Sequence, residues 1–433
     1  MFEPIGIDDM TLQYLYSFSV LDWCMLGALA LVFMYQLYFY IRYMAGVQRR
    51  VRHQQKQRFR WNPKRQERQA RKAREAAEKA AREAGLELVQ EKPENNEQPG
   101  VSVVVCAKNE GDNLQHYLTA LLCQRYPTFE VIVVNDASED NTQFVLDHYQ
   151  QLYSNLHLTF VPSDAIVRSS KKLALTLAAK AAKYDYLLLT DADCRPESPE
   201  WIAEMMKGFS KPETELVIGY GGYFQEHHAV NRRIQYDTIF NAMQYLGMAM
   251  SRHPYMGVGR NLAYKKETFF KIRGFAGLLS ARAGDDDLFV NKVCNARNTE
   301  VVLTPMSYTW SIPKRTFREW RVQKARHLSV APDYKWFTKL RLFIEPFSRG
   351  LWYALMIAVG VLTGLGWISP TIGGVAAVLF VSRLTWQIIM MSRAASIFMV
   401  KGFGIEVLWF DIWLPLVNAY LLIKQMFRKN TNW

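Results

Sequence analysis

The stretch YDYLLLTDAD, residues Tyr184–Asp193, joins a run of apolar residues to two aspartates at its carboxyl end. A continuous apolar run without alternation is typical of a strand buried on both faces of a parallel sheet. Asp191 and Asp193 flank one alanine, and alternate residues that leave a strand can direct two carboxylates to one point. Two converging carboxylates suit a hard divalent cation that holds a diphosphate. The alternative is an ordinary acidic turn, because Asp-x-Asp alone is a weak signal.

The segments before this stretch predict the rest of the sheet. Apolar, β-branched runs begin at Val101, Phe129 and Leu156, and segments with helical spacing separate them. Strands that alternate with helices predict an α/β domain with a parallel, doubly wound sheet. In such sheets ligands bind beyond the carboxyl ends of the strands. Here those ends carry the sequences AKNE, NDASED and DADC, so the carboxyl edge of the sheet is the predicted site.

Two of these strand ends add candidate ligand-binding residues. Asp136 follows the second strand, where the alternative role is an Asx-turn or a helix cap. Asp140 and Asn141 suit the cap better, which leaves Asp136 for a ligand hydroxyl or base edge. Lys108–Glu110 follows the first strand, and its alternative is solvated loop charge.

A third acidic block, GDDDL, precedes an amphipathic helical segment. Asp285, Asp286 and Asp287 are consecutive, and a capping role at the helix N-terminus would account for one of them. Adjacent carboxylates repel one another, so at least one of the three should have a raised pKa. A carboxylate with a moderately raised pKa suits a general base that deprotonates a hydroxyl.

Four apolar segments are long enough to cross a membrane. They are Leu21–Ile41, Leu351–Ile368, Thr371–Met391 and Ile405–Ile423. Buried core helices are the alternative for the first three. The fourth carries Asp411 and Pro415, and it could instead lie in the interface or re-enter.

The net charge of +13 is concentrated in Arg49–Arg82, which has fourteen Lys and Arg against three Glu. This run directly follows the first membrane segment, so the positive-inside rule and anionic headgroups explain it without a nucleic acid. The predicted orientation places residues 1–20 outside and Arg42 to about Gly350 in the cytoplasm. The five cysteines have no metal-ligand spacing and are expected to be reduced.

These patterns divide the chain into five parts. A membrane helix is predicted in 1–45, and a basic helix with a linker in 46–99, its solvated helix over Gln66–Ala84. The α/β domain is expected in 100–332, an interfacial segment in 333–350, and two to three membrane helices in 351–433.

The acidic blocks, in this order, resemble those of family 2 glycosyltransferases of the GT-A fold, in their membrane-embedded branch. That branch includes cellulose, chitin, hyaluronan and poly-N-acetylglucosamine synthases and ceramide glucosyltransferase. The resemblance covers about Val101–Pro332. It implies a GT-A, Rossmann-like cytoplasmic domain with a mostly parallel sheet, joined to transmembrane helices.

The resemblance also assigns roles to residues. The nucleotide would be bound by Ala107, Lys108, Asn109, Glu110, Asp136, Asp191 and Lys171 or Lys172, although Ser170-Lys171 stands where the family has Gly-Lys. Asp193, with Asp191, would bind Mg²⁺ or Mn²⁺ on the diphosphate. Asp286 would be the catalytic base and Asp285 its neighbour. In YMGVGRNLAYKK, residues Gly257, Gly259 and Arg260 would contact donor sugar and acceptor.

The stretch WRVQKARHLSV, Trp320–Val330, resembles the family's Gln-x-x-Arg-Trp element. Gln323 and Arg326 are three apart and so share a helix face, which could turn towards the diphosphate. His327 replaces the tryptophan, which implies a smaller and more polar wall at the acceptor site. The alternative is a basic interfacial helix with Trp320 in the headgroups.

The predicted function is inverting sugar transfer from a nucleotide donor, usually UDP-linked, to a hydroxyl of a lipid-linked or membrane-associated glycan. The first alternative is a processive β-polysaccharide synthase that extrudes its polymer, and a more distant one is a non-catalytic membrane scaffold. The expected location is a bacterial inner membrane, with the catalytic domain cytoplasmic. The bilayer and its anionic headgroups are expected partners, and nucleic acid is not.

Overall fold

A computed structural model describes residues 18–60, 98–162, 170–276 and 283–428 of the protein. The predicted solvated helix over Gln66–Ala84 lies outside them. The strands are β1 (Val101–Ala107), β2 (Phe129–Asn135), β3 (Leu156–Phe160), β4 (Tyr186–Asp191), β5 (Cys194–Pro196), β6 (Leu216–Ile218), β7 (Gly221–Tyr223), β8 (Leu262–Lys265), β9 (Thr299–Val301) and β10 (Thr309–Ser311). The α-helices are α1 (Val20–Phe39), α2 (Ala45–Arg60), α3 (Gly111–Leu122), α4 (Thr142–Leu152), α5 (Ser170–Ala181), α6 (Trp201–Met206), α7 (Ala229–Met250), α8 (Lys266–Lys271), α9 (Asp287–Val293), α10 (Phe317–Leu328), α11 (Trp336–Gly364), α12 (Pro370–Ile397) and α13 (Glu406–Arg428).

The main sheet has seven strands in the order β3-β2-β1-β4-β8-β6-β9. Strands β3, β2, β1 and β4 are parallel neighbours, and β8 pairs antiparallel with β4 and β6. A smaller sheet, in the order β5-β10-β7, follows the end of β4. The predicted α/β fold with a mostly parallel sheet is confirmed.

The sheet is buried on both faces, as its apolar strands predict. Val103 and Val105 of β1 pack with Leu114 and Leu118 of α3 in one core cluster. The next residue, Val104, belongs to the opposite cluster, which includes α5, α7 and parts of the membrane helices. Because side chains alternate along a strand, an apolar residue at every position is what burial on both faces requires.

Four helical spans in the described part of the chain are long and apolar enough to cross a membrane. They are Val20–Arg52, Trp336–Gly364, Pro370–Ile397 and Glu406–Gln425. The first combines α1, a π-helical turn at Tyr40–Met44 and the start of α2. The second is continuous from the predicted interfacial segment 333–350 into the membrane segment that follows it.

A buried ion-pair network ties the membrane helices together. Asp411 of α13 is fully buried and accepts hydrogen bonds from Arg349 of α11 at 3.2 Å and from Arg383 of α12 at 2.9 Å. Arg349 also donates to Glu345 at 2.6 Å, and Arg383 donates to Gln36 of α1. Charges at membrane depth are costly unless paired, and these four form two balanced pairs.

Helix α7 joins the sheet domain to the membrane helices. Its 22 residues are mostly buried, and it is not among the four candidate membrane spans of the described residues. At Gly247 the helix passes so close to the π-helical turn that an added Cβ would lie 2.2 Å from the carbonyl oxygen of Tyr43. Ser251 at its end accepts a hydrogen bond from Arg42 at 2.7 Å. The sheet and the membrane helices are therefore in direct contact.

Candidate active site

The carboxyl ends of β1, β2 and β4 meet at one edge, where the sequence predicts the site. Cys106 of β1 pairs with Asp191 of β4, and the Asp136 N–H donates to the Ala107 carbonyl at 2.8 Å. The loops after β1 and β2 are cross-linked, because Asn109 N–H donates to Ser138 Oγ at 3.0 Å and Asn109 Oδ1 accepts from Glu139 N–H at 2.8 Å. Lys108 is exposed in the first of these loops.

Glu110 lies near enough to the Asp-x-Asp pair for the charges of Asp191 and Asp193 to act on its carboxyl. Burial raises the pKa of its carboxyl, and the charges of Asp193 and Asp191 raise it further, against a hydrogen bond from Asn113. The adjacent cap differs from prediction in detail. Asp140 accepts from the N–H groups of Thr142 and Gly111, whereas Asn141 at the N-cap of α4 makes no side-chain capping bond.

Lys171 of α5 connects two acidic blocks. Its ammonium lies 2.8 Å from Asp191 Oδ1 and 3.3 Å from Asp285 Oδ2. Burial opposes the charged ammonium, but the Asp191 and Asp285 carboxylates outweigh it and raise the pKa of Lys171 well above its usual range. Lys171 therefore stays cationic at the carboxyl edge of the sheet.

The neighbouring lysine is anchored to the loop before the aspartates. Lys172 is fully buried, and its ammonium donates to the Ala283 carbonyl at 3.0 Å, just before the three aspartates. Burial lowers the pKa of Lys172, against the charges of Asp285 and Asp333. Lys171 is the lysine that joins Asp191 to Asp285.

Asp286 is held by two backbone donors. It is the N-cap of α9, and its Oδ1 accepts from the Asp287 N–H at 2.9 Å, while Oδ2 accepts from the Gly259 N–H at 2.7 Å. An added Cβ at Gly259 would lie 3.2 Å from Oδ2, so glycine permits this close approach. Burial and the Asp285 charge raise the pKa of Asp286, against the opposing effect of Lys171 and the two backbone donors. The aspartate predicted to be the base is thus also the cap.

Asp191, Asp193 and Cys194 offer ligand atoms that lie within 4.8 Å of one another. Burial opposes ionisation of Asp191, but Lys171, Arg260 and Arg326 lower its pKa overall, so its carboxylate stays charged. Burial and the Asp191 charge raise the pKa of Asp193, and Ser311 donates to it at 2.8 Å.

This group of residues fits a hard cation through its carboxylates. Burial raises the pKa of the Cys194 thiol well above its usual range, so the thiol stays protonated. Mg²⁺ and Mn²⁺ prefer oxygen ligands to a protonated thiol. Asp191 and Asp193 are therefore the residues that would hold either ion.

Arg260 and Gln323 meet at one aromatic ring. The Arg260 guanidinium lies 4.2 Å from the centre of the Tyr223 ring, and Gln323 Nε2 donates to the Tyr223 hydroxyl at 3.1 Å. Gly257 instead occupies a packing position, because an added Cβ would lie 3.0 Å from Leu262 and 3.4 Å from Val290.

The stretch from Trp320 to Leu328 forms most of α10, which begins with a capping box of Thr316 and Glu319. The alternative that places Trp320 in the headgroups does not fit its burial, because Trp320 is 3% exposed and stacks on Phe317 and Trp413. Its burial against α13 fixes the helix beside the site.

Helix α10 is also held by a buried ion pair, and it presents a neutral histidine. Lys324 lies 2.7 Å from both carboxylate oxygens of Asp237 on α7.

Desolvation by the surrounding protein, with the charges of Arg326, Arg260 and Lys324, lowers the pKa of His327 to about 3. His327 is therefore uncharged near neutral pH.

A cavity of about 590 Å³ connects these groups with the membrane helices. Its lining includes Arg260, Asp286, Gln323 and His327, and it continues along α11 and α13. Asp287 and Tyr334 also line it. The predicted base and the Gln-x-x-Arg-His helix therefore face a common space.

Sequence reasoning missed several residues that shape the site. Ser311 supports Asp193, Tyr223 links Arg260 to Gln323, and Asp237 holds Lys324. Ser311 and Tyr223 lie in three-residue strands with no motif. The one available signal was Asp237, a carboxylate within a helix that is otherwise largely apolar or amide-bearing.

The described part of the chain combines a mostly parallel sheet, which has these carboxylates at its edge, with four candidate membrane spans. Residues 102–280 match the family model described as Glycosyl transferase family 2. This part of the chain is therefore similar to family 2 glycosyltransferases.

Parts of the chain are also similar to curated relatives and to a solved structure, and the relatives are matched over less than half of their length. A poly-beta-1,6-N-acetyl-D-glucosamine synthase of Staphylococcus epidermidis is 33% identical over 130 residues, which span 30% of this chain and 30% of that protein. Glycosyltransferase AglE of Haloferax volcanii is 28% identical over 123 residues, 28% of this chain and 39% of that protein. The mannosyltransferase PcManGT from Pyrobaculum calidifontis, solved with GDP-Man and Mn²⁺, has 20% identity and a TM-score of 0.48, covering 75% of this chain and 87% of that one.

Proposed function

We propose that the protein transfers a sugar from a nucleotide donor, with inversion, to a hydroxyl of a lipid-linked or membrane-associated glycan acceptor. The observation that carries this proposal is the position of Asp286. Its carboxylate lines a cavity that leads to the membrane helices, and Lys171 joins the neighbouring Asp285 to the Asp-x-Asp pair. An acceptor that reaches Asp286 through this cavity would meet the donor at the sheet edge.

The donor would lie along the carboxyl edge of the sheet. Ala107–Glu110 and Asp136 would hold the nucleotide, which we propose to be uridine, and Gly259 and Arg260 would lie near the sugar. Asp191 and Asp193 would hold Mg²⁺ or Mn²⁺, which when bound supplies positive charge for the diphosphate.

The transfer needs no covalent enzyme intermediate. The acceptor hydroxyl gives its proton to the Asp286 carboxylate, and its oxygen forms a bond to the anomeric carbon from the face opposite the diphosphate. The bond between the anomeric carbon and the diphosphate oxygen breaks, and its electron pair leaves with the nucleoside diphosphate. Lys171 and Arg326, both close enough to Asp191 to act on its pKa, stabilise the charge that develops.

The orientation that we propose places the sheet domain in the cytoplasm of a bacterium, under its inner membrane. The basic run Arg49–Arg82 follows the first membrane span and would lie against anionic headgroups. Nucleotide sugars are then available to the site from the cytoplasmic side.

A processive polysaccharide synthase is the second candidate. It is favoured by the similarity to a protein named poly-beta-1,6-N-acetyl-D-glucosamine synthase. Product size separates the candidates, because a polymerase gives a ladder or a high polymer and a single transfer gives one glycolipid.

The test is a screen of nucleotide sugars with the purified chain in lipid, scored by metal-dependent release of nucleoside diphosphate. We expect turnover with at least one donor, and a loss on the order of 10²–10⁴-fold in Asp286→Asn, as for removal of a general base. Asparagine is as good an N-cap as aspartate, so its amide oxygen should retain α9. Its amide N–H₂ would face the Gly259 N–H in place of an acceptor, so thermal unfolding in detergent checks that the variant is folded. The absence of turnover with every donor would support the scaffold, and turnover that is unchanged in Asp286→Asn would show that another group is the base.

A further inference from the structure

The half of the cavity that is remote from Asp286 is built from membrane helices. Leu342, Phe343 and Phe347 of α11 line it, with Leu414, Leu416 and Leu422 of α13. Both helices are among the four candidate membrane spans. One cavity is therefore lined both by polar residues of the sheet domain and by apolar residues of two candidate membrane spans.

A proline lies in each of the two helices that line this part of the cavity. Pro346 lies inside α11 and Pro415 inside α13, and both line the cavity. A proline within a helix removes one backbone hydrogen bond, and its ring presses against the carbonyl four residues earlier, which favours a bend. Both prolines therefore disfavour close, regular packing of α11 and α13 beside the cavity.

The apolar half is continuous with the surface that faces lipid. Phe343 is 60% exposed, Phe347 55% and Leu416 64%, although all three also line the cavity. An exposed apolar side chain on a membrane span faces hydrocarbon. These residues therefore belong both to the cavity wall and to the exposed apolar surface of the two spans.

Gly350 leaves this part of the cavity wall open. It lines the cavity one turn beyond Pro346, and a Cβ added there would meet no heavy atom of the described residues within 4 Å. Gly350 is itself exposed, so the space beside it is open.

The charged residues at this depth do not call for a charged ligand. Glu345 and Arg349 line the cavity, but they are paired with each other at 2.6 Å. With Arg383 and Asp411 they form a set of two cations and two carboxylates, whose formal charges cancel. An uncharged occupant is therefore favoured.

We propose that this half of the cavity binds the hydrocarbon chain of the acceptor, a membrane lipid whose hydroxyl-bearing headgroup reaches Asp286. The lipid enters sideways from the bilayer between α11 and α13. The role as acceptor rests on the proposed function. The total volume of about 590 Å³ lies within the range of about 300–1,000 Å³ for small-molecule sites.

The first test fills the space. Gly350→Phe should project a ring into the cavity without a backbone clash, and Gly360→Phe on the same helix is the matched control. Gly360 is exposed, lies outside the cavity lining, and likewise has no neighbour within 4 Å among the described residues. Each full-length variant is reconstituted in vesicles of phosphatidylethanolamine and phosphatidylglycerol with a radiolabelled donor.

We expect Gly350→Phe to reduce transfer into the lipid extract at least tenfold, while hydrolysis of the donor by water stays within twofold of the parent. Gly360→Phe should match the parent in both. Equal lipid transfer by the two variants would overturn the lipid site, and so would a wild-type product that is a water-soluble polymer. Donor turnover that fails in all three proteins would instead overturn the proposed function.

The second test does not depend on activity. The vesicles include a phospholipid with a diazirine in its alkyl chain, and cross-linked peptides are identified after irradiation. Ile234 and Tyr245 of α7 line the cavity but are 2% and 3% exposed, so bulk lipid should not label them. We expect label on α7 in the parent and in Gly360→Phe and its loss in Gly350→Phe. An unlabelled α7 in the parent would overturn the proposal.

Discussion

Asp286 combines two tasks that the sequence suggested would fall to different residues. Its carboxylate caps α9 and also receives the Gly259 N–H, so both oxygens are fixed by backbone donors. A base that is fixed in this way needs no reorganisation before it accepts a proton. The capping bond is also part of what positions it.

The pKa of Asp286 makes a prediction about pH. Burial and Asp285 raise it above the usual 3.8, so the base form is present at high pH and is lost as pH falls through the raised value. The rate of transfer should therefore decline on the acid side at a pH above that of an ordinary aspartate. Since Lys171 opposes the shift, Lys171→Met should move this decline to higher pH.

The measurement is kcat/KM against pH at constant ionic strength, with Lys171→Arg as the control that keeps the charge. We expect the arginine variant to keep the parent's profile in shape. An acid limb at the same pH in Lys171→Met and in the parent would mean that another group titrates.

At the scale of single residues, the sequence predicts the acidic residues of the site but not which lysine pairs with them. Asp191, Asp193 and Asp286 lie where strand ends and a helix start predict them. The choice between Lys171 and Lys172 could not be made, because neighbouring helical residues point about 100° apart. Which of them faces the site depends on how α5 rotates against the sheet, and that is set by distant packing.

Helix α10 is the element that connects the site to the membrane helices. Its outer contacts are aromatic, through Trp320 and Trp413, and its inner contact is the ion pair of Lys324 and Asp237. Together they hold Gln323 and His327 against the cavity. The sequence predicted this helix and its shared face, but the burial of Trp320 depends on α13, about ninety residues later in the chain.

The buried ion pair makes a stability prediction. Lys324→Met leaves the Asp237 carboxylate buried without its cation and should cost about 3–5 kcal/mol of unfolding free energy. Lys324→Met with Asp237→Leu replaces both charges by apolar groups and should recover most of that loss. Thermal unfolding in detergent measures both.

The double variant also separates stability from positioning. If the pair positions α10, the double variant should be stable and yet show a changed KM for the acceptor with little change for the donor. Equal stability of the single and double variants would show that the pair does not act as a unit.

At the scale of the whole molecule, the parallel strands β1 to β4 and the four candidate membrane segments follow from the sequence. Runs of Val and Leu at β1, β2 and β4 are long enough to predict buried parallel strands, but they do not predict the strand order of the sheet. The antiparallel strand β8 was beyond prediction, because its four residues give no period. The status of α13 was also open, since Asp411 and Pro415 reduce its apolar character until the partners from α11 and α12 are known.

The membrane network gives the last prediction. Asp411→Asn leaves Arg349 and Arg383 with one carboxylate between them and should destabilise the protein by about 3–5 kcal/mol. A double variant, Asp411→Asn with Arg383→Gln, restores the balance of charge and should recover part of the loss. Melting temperatures in the same detergent measure both effects. An unchanged melting temperature for Asp411→Asn would show that water already reaches Asp411 and its two arginine partners.

The same network constrains how the protein is made. An arginine or aspartate at the centre of a helix costs about 2.5–3.5 kcal/mol to insert through the translocon. Arg349 has a carboxylate partner, Glu345, in its own helix. The carboxylate partner of Arg383 is Asp411, which lies 28 residues later in the chain and is synthesised after it. Until then α12 holds an arginine that lipid disfavours, and α13 later arrives with an aspartate that needs it. The last two helices, α12 and α13, should therefore insert together as a helical hairpin, in which the charges of Arg383 and Asp411 offset each other.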